Sequence, residues 1–270
     1  MMTLLIFILL LLYSVSVIFY MGNMIKRDPR YEIWAYRILL LGGFFHSFSF
    51  SANIILEEYF PLLTMFDVLF FYSLALILFT IIIHHVLHWK LLEMLTVFLG
   101  IIILIGAISI GESAPTISET LISRLVLIHI VFSVISYSAF SLSAIFSLLF
   151  LVHDFLLKKK VWNRLTQSLP SLESLERNAY FANLLGIPML FIGLIIGSVW
   201  ASFSMKWIFF FDPKVIISFI VLFMYSWSVL KRHKRAWMNK QLAIWNLLSF
   251  IMVVINFSLA NIFGSFHRWL

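Results

Sequence analysis

The stretch Thr3-Leu-Leu-Ile-Phe-Ile-Leu-Leu-Leu-Leu-Tyr-Ser-Val-Ser-Val-Ile-Phe-Tyr20, followed by Lys26, Arg27 and Arg30, decides how the rest of the chain is read. It is an uncharged run close to the roughly 20 residues that carry a helix across a bilayer. No basic residue precedes it and no small-residue cleavage site follows, so it reads as a retained first span, not a secretion signal. The cations come after it, which sets its N-terminus outside the membrane.

Runs of this kind recur along the chain. Spans are expected near 3–22, 36–56, 62–83, 91–110, 123–152, 179–201, 214–230 and 241–264. The fifth run is longer than a bilayer requires and is expected to project into the cytoplasm. The 270 residues are 63% hydrophobic and 11% charged, with a mean hydropathy of +1.05. Soluble domains carry about 25% charged residues. The period-2 alternation of a membrane barrel is absent, and backbone groups in lipid must be bonded within their own segment, so helices are required. The fold class expected is all-α: a polytopic integral membrane protein with about eight transmembrane helices and both termini outside. Residues 1–270 are expected to form a single transmembrane domain, with 202–213 as an external aromatic loop.

Charge supports that orientation. The loops assigned to the inside hold Lys26, Arg27, Arg30, Arg37, Lys90, Lys158, Lys159, Lys160, Arg164, Arg177, Lys231, Arg232, Lys234, Arg235 and Lys240, fifteen of the nineteen basic residues. Only Arg124, Lys206, Lys214 and Arg268 remain outside. The net charge of +7 is therefore a positive-inside asymmetry. It implies a lipid bilayer as partner and no nucleic acid. The absence of cysteine excludes disulfides and thiolate metal sites. In the longest inner connection, about 153–178, Pro170 is expected to start a short interfacial helix whose Leu172 and Leu175 face lipid. That segment is a plain connector or a docking surface for a cytosolic partner.

Eight histidines are the most distinctive polar feature. His84, His85 and His88 fall at the inner end of the third span beside Trp89 and Lys90. His153 and His233 lie among inner basic residues. His84 and His88, four apart, could share a metal, but no glutamate completes a zinc-protease motif and the group reads as an interfacial cluster. His153 and His233 read as solvated helix ends, so all five take a structural reading. His46 differs: it lies within the second span, where an ionisable group is costly and points to function unless a neighbour such as Ser47 or Ser49 satisfies it. His129 falls near the outer end of the fifth span and His267 just beyond the eighth, on one face.

Between these two lies Trp200-Ala-Ser-Phe-Ser-Met-Lys-Trp-Ile-Phe-Phe-Phe-Asp-Pro213. It is an aromatic belt or a platform for a flat apolar ligand, and two imidazoles flanking such a platform suit haem with axial histidines. Asp67, shallow in the third span, answers a cation or stabilises a helix N-terminus. Gly193-Leu-Ile-Ile-Gly197 reads as a close-approach motif and Pro188 as a bend.

The segments Leu169-Pro-Ser-Leu-Glu-Ser-Leu-Glu-Arg177, Gly186-Ile-Pro188 and Gly193-Leu-Ile-Ile-Gly-Ser-Val-Trp-Ala201 resemble the membrane cytochrome c assembly family. So do Trp207 through Asp212-Pro-Lys214, Ile128-His129, His267, Phe45-His46 and Asp67. That family includes CcsA-type haem-handling synthetases and the shorter HemX proteins, and the resemblance covers most of the chain from about residue 40. It implies haem b as cofactor, His129 and His267 as axial ligands, and a platform of Trp200, Trp207, Phe209, Phe211 and Asp212. His46 and Asp67 are buried candidates.

Two departures stand out. Phe209 and Phe211 replace tryptophans of the family's tryptophan-rich motif, keeping the stacking surface but losing indole N–H donors. Leu230 falls where the family's second buried histidine is expected. The shorter branch fits better. The resemblance then implies a non-enzymatic protein of the bacterial plasma membrane that regulates haem synthesis through the level of glutamyl-tRNA reductase, with a cytosolic partner. The alternatives are a CcsA-type haem transporter or synthetase subunit, and a scaffold without haem.

Overall fold

The computed structural model describes residues 2–56, 62, 64–111, 124–161, 164–205, 212–237 and 239–259. Among the described residues there are helices and turns but no strand. The helices are α1 (Met2–Lys26), α2 (Pro29–Leu56), α3 (Met65–Leu87), α4 (Lys90–Ile110), α5 (Arg124–Lys158), α6 (Arg164–Ser168), α7 (Leu172–Met205), α8 (Pro213–His233) and α9 (Asn239–Leu259). Seven of them, all but α2 and α6, are long and apolar enough to cross a membrane. The expected second span falls in α2, which at 28 residues exceeds what a bilayer requires.

Polarity is distributed inside out. Leu4, Phe7, Leu11, Ile18, Phe44, Phe48, Phe155 and Phe223 are exposed, whereas Ser16, His46, Ser73, Glu93, Ser141, Asn183, Asn246 and Asn256 are buried. This arrangement suits a hydrocarbon solvent, where apolar side chains need no shelter and polar ones need partners. The chain is a multi-span helical membrane protein.

The expected single domain groups into two compact units, Met1–Pro115 and Thr116–Leu270. In the first, α1 packs on α2 and α4, and α3 packs on α2 and α4, closing an up-and-down ring of four helices. The second repeats the plan with α5, α7, α8 and α9, and α5 packs most extensively on α7.

Local sequence sets the ends. Thr64 and Asp67 form a reciprocal capping box at the start of α3. Asp212 caps α8 by accepting from the Lys214 backbone N–H, and Pro213 opens the helix. Four short turns carry a non-glycine residue in the left-handed region: Arg27, His88, Lys160 and Arg235, with φ between 50° and 56°. All four lie in loops that the charge pattern assigns to the inside, where cations also complement helix C-termini.

Two expectations change. There is no separate interfacial helix after Pro170, because α7 starts at Leu172 and runs unbroken past Pro188 to Met205. The Ser171 hydroxyl accepts from the Ser174 N–H to start it, and Leu175 is fully buried instead of facing lipid. The helix also extends through 202–205, the first part of the expected external loop, while 206–211 lie outside the described residues.

Candidate functional site

His129 sits in the second turn of α5, against α7. Its Nδ1–H donates to the Gly193 carbonyl at 2.6 Å. The backbone oxygen can only accept, so the proton resides on Nδ1 and Nε2 keeps a free lone pair. Metal-binding histidines adopt this arrangement when a backbone carbonyl fixes the tautomer and ring orientation. Gly197 makes room for the ring: a Cβ built there would lie 2.6 Å from Nδ1 and 2.8 Å from Cε1. The Gly193/Gly197 pair, read from sequence as packing alone, therefore also cradles a ligand-type imidazole. An alanine at 197 forces the ring away from the Gly193 carbonyl.

Polar contacts fix which ends of α5, α8 and α9 lie together. Asn256 of α9 donates to the Tyr137 hydroxyl of α5 and to Ser218 of α8, both at 2.9 Å. At the other end, Asn246 of α9 donates to Ser147 of α5 at 3.2 Å, and Asn183 of α7 donates to the Asn246 amide oxygen at 3.1 Å. Ser228 of α8 also bonds to Asn246. These two rungs run α9 antiparallel to both α5 and α8 and bring its C-terminal end to the end of the unit that holds His129 and Asp212. Trp200, on α7 beyond Gly197, and Asp212 are both partly buried at that same end. His267, Trp207, Phe209 and Phe211 lie outside the described residues.

His46 belongs to the first unit and is fully buried. Its partner is neither Ser47 nor Ser49 but the Tyr13 hydroxyl of α1, 3.0 Å from Nδ1. Gly42, one turn earlier on α2, admits the tyrosine, since a Cβ there would meet the Tyr13 ring at 2.7 Å. The Phe70 ring covers the imidazole at 4.2 Å between centroids. His46 Nε2 makes no well-formed hydrogen bond, the Phe70 backbone being the polar group that approaches it. Tyr13→Phe is expected to leave Nδ1 unsatisfied as well and to lower stability by about 1–2 kcal/mol. Unfolding of the detergent-solubilised protein checks it. An unchanged midpoint would refute the bond.

Asp67 is occupied in its capping box, which supports the helix-stabilising side of its expected role. Leu230, where a second buried histidine was expected, points outward with 51% of its surface exposed.

The histidines at the end of α3 acquire a partner that the sequence reading missed. His84 Nδ1 lies 2.9 Å from Glu93 Oε2 of α4, and that carboxylate is fully buried. Tyr36 of α2 stacks on His84 at 3.6 Å and its hydroxyl bonds His85 Nε2 at 2.8 Å. The available signal was Glu93 itself, an acidic residue inside a hydrophobic run just after a basic turn. Among the described residues no group of three or more His, Asp or Glu is placed to hold a metal ion.

The chain is 33% identical over 259 residues to the protein HemX of Brevibacillus brevis, covering 96% of this chain and 95% of the relative. To the protein HemX of Bacillus subtilis (strain 168) it is 31% identical over 264 residues, covering 96% and 94%. A cytochrome c biogenesis protein CcsA of Mesostigma viride is 22% identical over 288 residues, covering 96% and 91%. Residues 62–267 match the family described as Cytochrome C assembly protein, and the chain belongs to that family.

Proposed function

We propose that this chain is a haem-binding, HemX-like membrane protein that regulates haem biosynthesis at the level of glutamyl-tRNA reductase and is not itself an enzyme. The observation that carries the reading is the His129 tautomer: Nδ1–H held by the Gly193 carbonyl and Nε2 left as a neutral donor. The residues that would hold haem b are His129 and His267 as axial ligands, with Trp200, Trp207, Phe209, Phe211 and Asp212 forming the platform and its edge. When bound, haem supplies an iron centre whose occupancy reports haem supply.

The protein's own part is to orient the His129 ring and tie it to α7. A shift of that ring is passed to the Gly193 backbone, and α7 continues to the basic face. Regulation requires the two arrangements of α7 to bind haem with different affinity. A cytosolic partner that reads the basic face, and residence in a bacterial plasma membrane, belong to the same proposal.

A second reading, a CcsA-type haem transporter or synthetase subunit, is favoured by the buried His46 with its unsatisfied Nε2. The outward-facing Leu230 counts against it, since it supplies no second ligand. A scaffold without haem is the third.

Absorption spectra separate them. Wild type purified from haem-supplemented cells is expected to show a Soret band, with His129→Ala and His267→Ala each reducing it strongly and His46→Ala little. No band in wild type would sink both haem readings; a band lost only in His46→Ala would favour transport. Co-expression with an apocytochrome is expected to leave covalent haem attachment unchanged, and deletion of the protein to alter glutamyl-tRNA reductase abundance.

A further inference from the structure

The end of the second unit opposite His129 carries a concentration of positive charge, part of the basic face that the proposed function offers to a cytosolic partner. The chain has no Asp or Glu after Asp212, yet residues 231–240 include Lys231, Arg232, Lys234, Arg235 and Lys240. Two of these are held by the fold. Arg232 forks onto Glu176 of α7 at 2.5 and 3.2 Å and lies 3.8 Å over the Tyr180 ring. Lys231 Nζ sits 4.5 Å over Trp227 and 5.8 Å from Trp237, which packs edge-on to Trp245. The remaining Lys234, Arg235 and Lys240 are exposed and form no ion pair among the described residues.

The surface beside this turn is apolar. Leu230, Phe223, Ile244 and Leu248 are all exposed on α8 and α9, leading away from the cations and the indoles. The cleft behind the turn, lined by Glu176, Asn183, Ser228, Arg232 and Asn246, has a free volume of about 10 Å³, room for roughly one water. An anion therefore stays at the rim, while the Glu176–Arg232 fork holds the turn in place behind it.

We propose that the α8–α9 turn binds the headgroup of an anionic phospholipid, its phosphate against Lys234, Arg235 and Lys240 and its acyl chains along Leu230, Ile244 and Leu248. Charge complementarity selects an anion, the indole cluster sets the turn at headgroup depth, and the adjoining apolar strip selects an amphiphile over a soluble ion. The site is independent of whether His129 binds haem.

Native mass spectrometry of the full chain tests it, with detergent micelles doped with phosphatidylglycerol or phosphatidylcholine. Wild type is expected to retain phosphatidylglycerol preferentially. The K234Q/R235Q/K240Q variant is expected to bind it about a hundredfold more weakly, at roughly fivefold for each of the three cations lost. K158Q/K159Q/K160Q, an equal loss of charge at another basic turn, is expected to bind like wild type. Equal retention by the first variant and wild type would overturn the proposal, as would equal loss from both variants. Displacement of the lipid by excess inorganic phosphate would instead identify a free-anion site and overturn it too.

Discussion

Gly186→Leu is expected to be among the most damaging single substitutions in the second unit, lowering stability by about 3 kcal/mol through overpacking. A Cβ built at Gly186 would lie 2.5, 2.8 and 3.0 Å from three atoms of the Phe140 ring. That ring has little freedom to retreat, because it is stacked on Tyr225 at 3.7 Å with 5° between planes. The clash would therefore pass from α7 through α5 to α8. In lipid there is no hydrophobic force between helices to offset lost packing, so close approach at small residues carries the association of α5 with α7. Gly186→Ala should show a smaller loss of the same sign. Adding Phe140→Ala to Gly186→Leu should recover part of the midpoint, since the two changes share one contact. Denaturation in detergent reads all of these, and wild-type stability for Gly186→Leu would show that the helices do not approach so closely.

Much of this architecture is legible in the sequence, and the reason is the solvent. A bilayer imposes one length and one polarity on every crossing element, so runs such as Thr3–Tyr20 and Met65–Leu87 declare themselves, and the basic turns after them give orientation. The Ile128-His129 and glycine motifs were likewise visible as residue types. Their relation was not: that Gly197 exists to admit the His129 ring, and Gly193 to accept from it, depends on the rotation of α5 against α7.

The same limit explains His46. Its partner could be anticipated only as some hydroxyl, and nearby serines were the local choices, whereas Tyr13 reaches it from 33 positions away because Gly42 opens α2 to α1. The interfacial helix at Pro170 was misread for a related reason. Amphipathic spacing of Leu172 and Leu175 does not say what they face, and here α7 continues long enough for Leu175 to be covered by protein. Local pattern fixes an apolar face, and only packing names its partner.

Glu93 is the clearest case of a residue that sequence left unremarked and structure makes consequential, and it supports the second large effect. Its carboxylate is fully buried, its Oε2 is 2.9 Å from His84 Nδ1, and its Oε1 has no hydrogen-bond partner among the described residues although the buried Tyr20 hydroxyl adjoins it. His84→Leu is expected to destabilise the first unit by about 3–5 kcal/mol, the usual effect of removing one member of a buried pair and stranding the other. Glu93→Leu should cost less, because the ring left behind keeps its stacking on Tyr36 and is partly exposed, whereas Glu93 is fully buried. The double change His84→Leu/Glu93→Leu should be milder than His84→Leu alone, since it removes both desolvated groups from the interior together. Chemical unfolding of the three variants in detergent measures the coupling directly. Additive losses would mean that Glu93 is satisfied without His84, through Tyr20 or solvent. A double variant that recovers stability would identify the pair as a constraint tying α3 to α4, built from polar groups the membrane interior could otherwise do without.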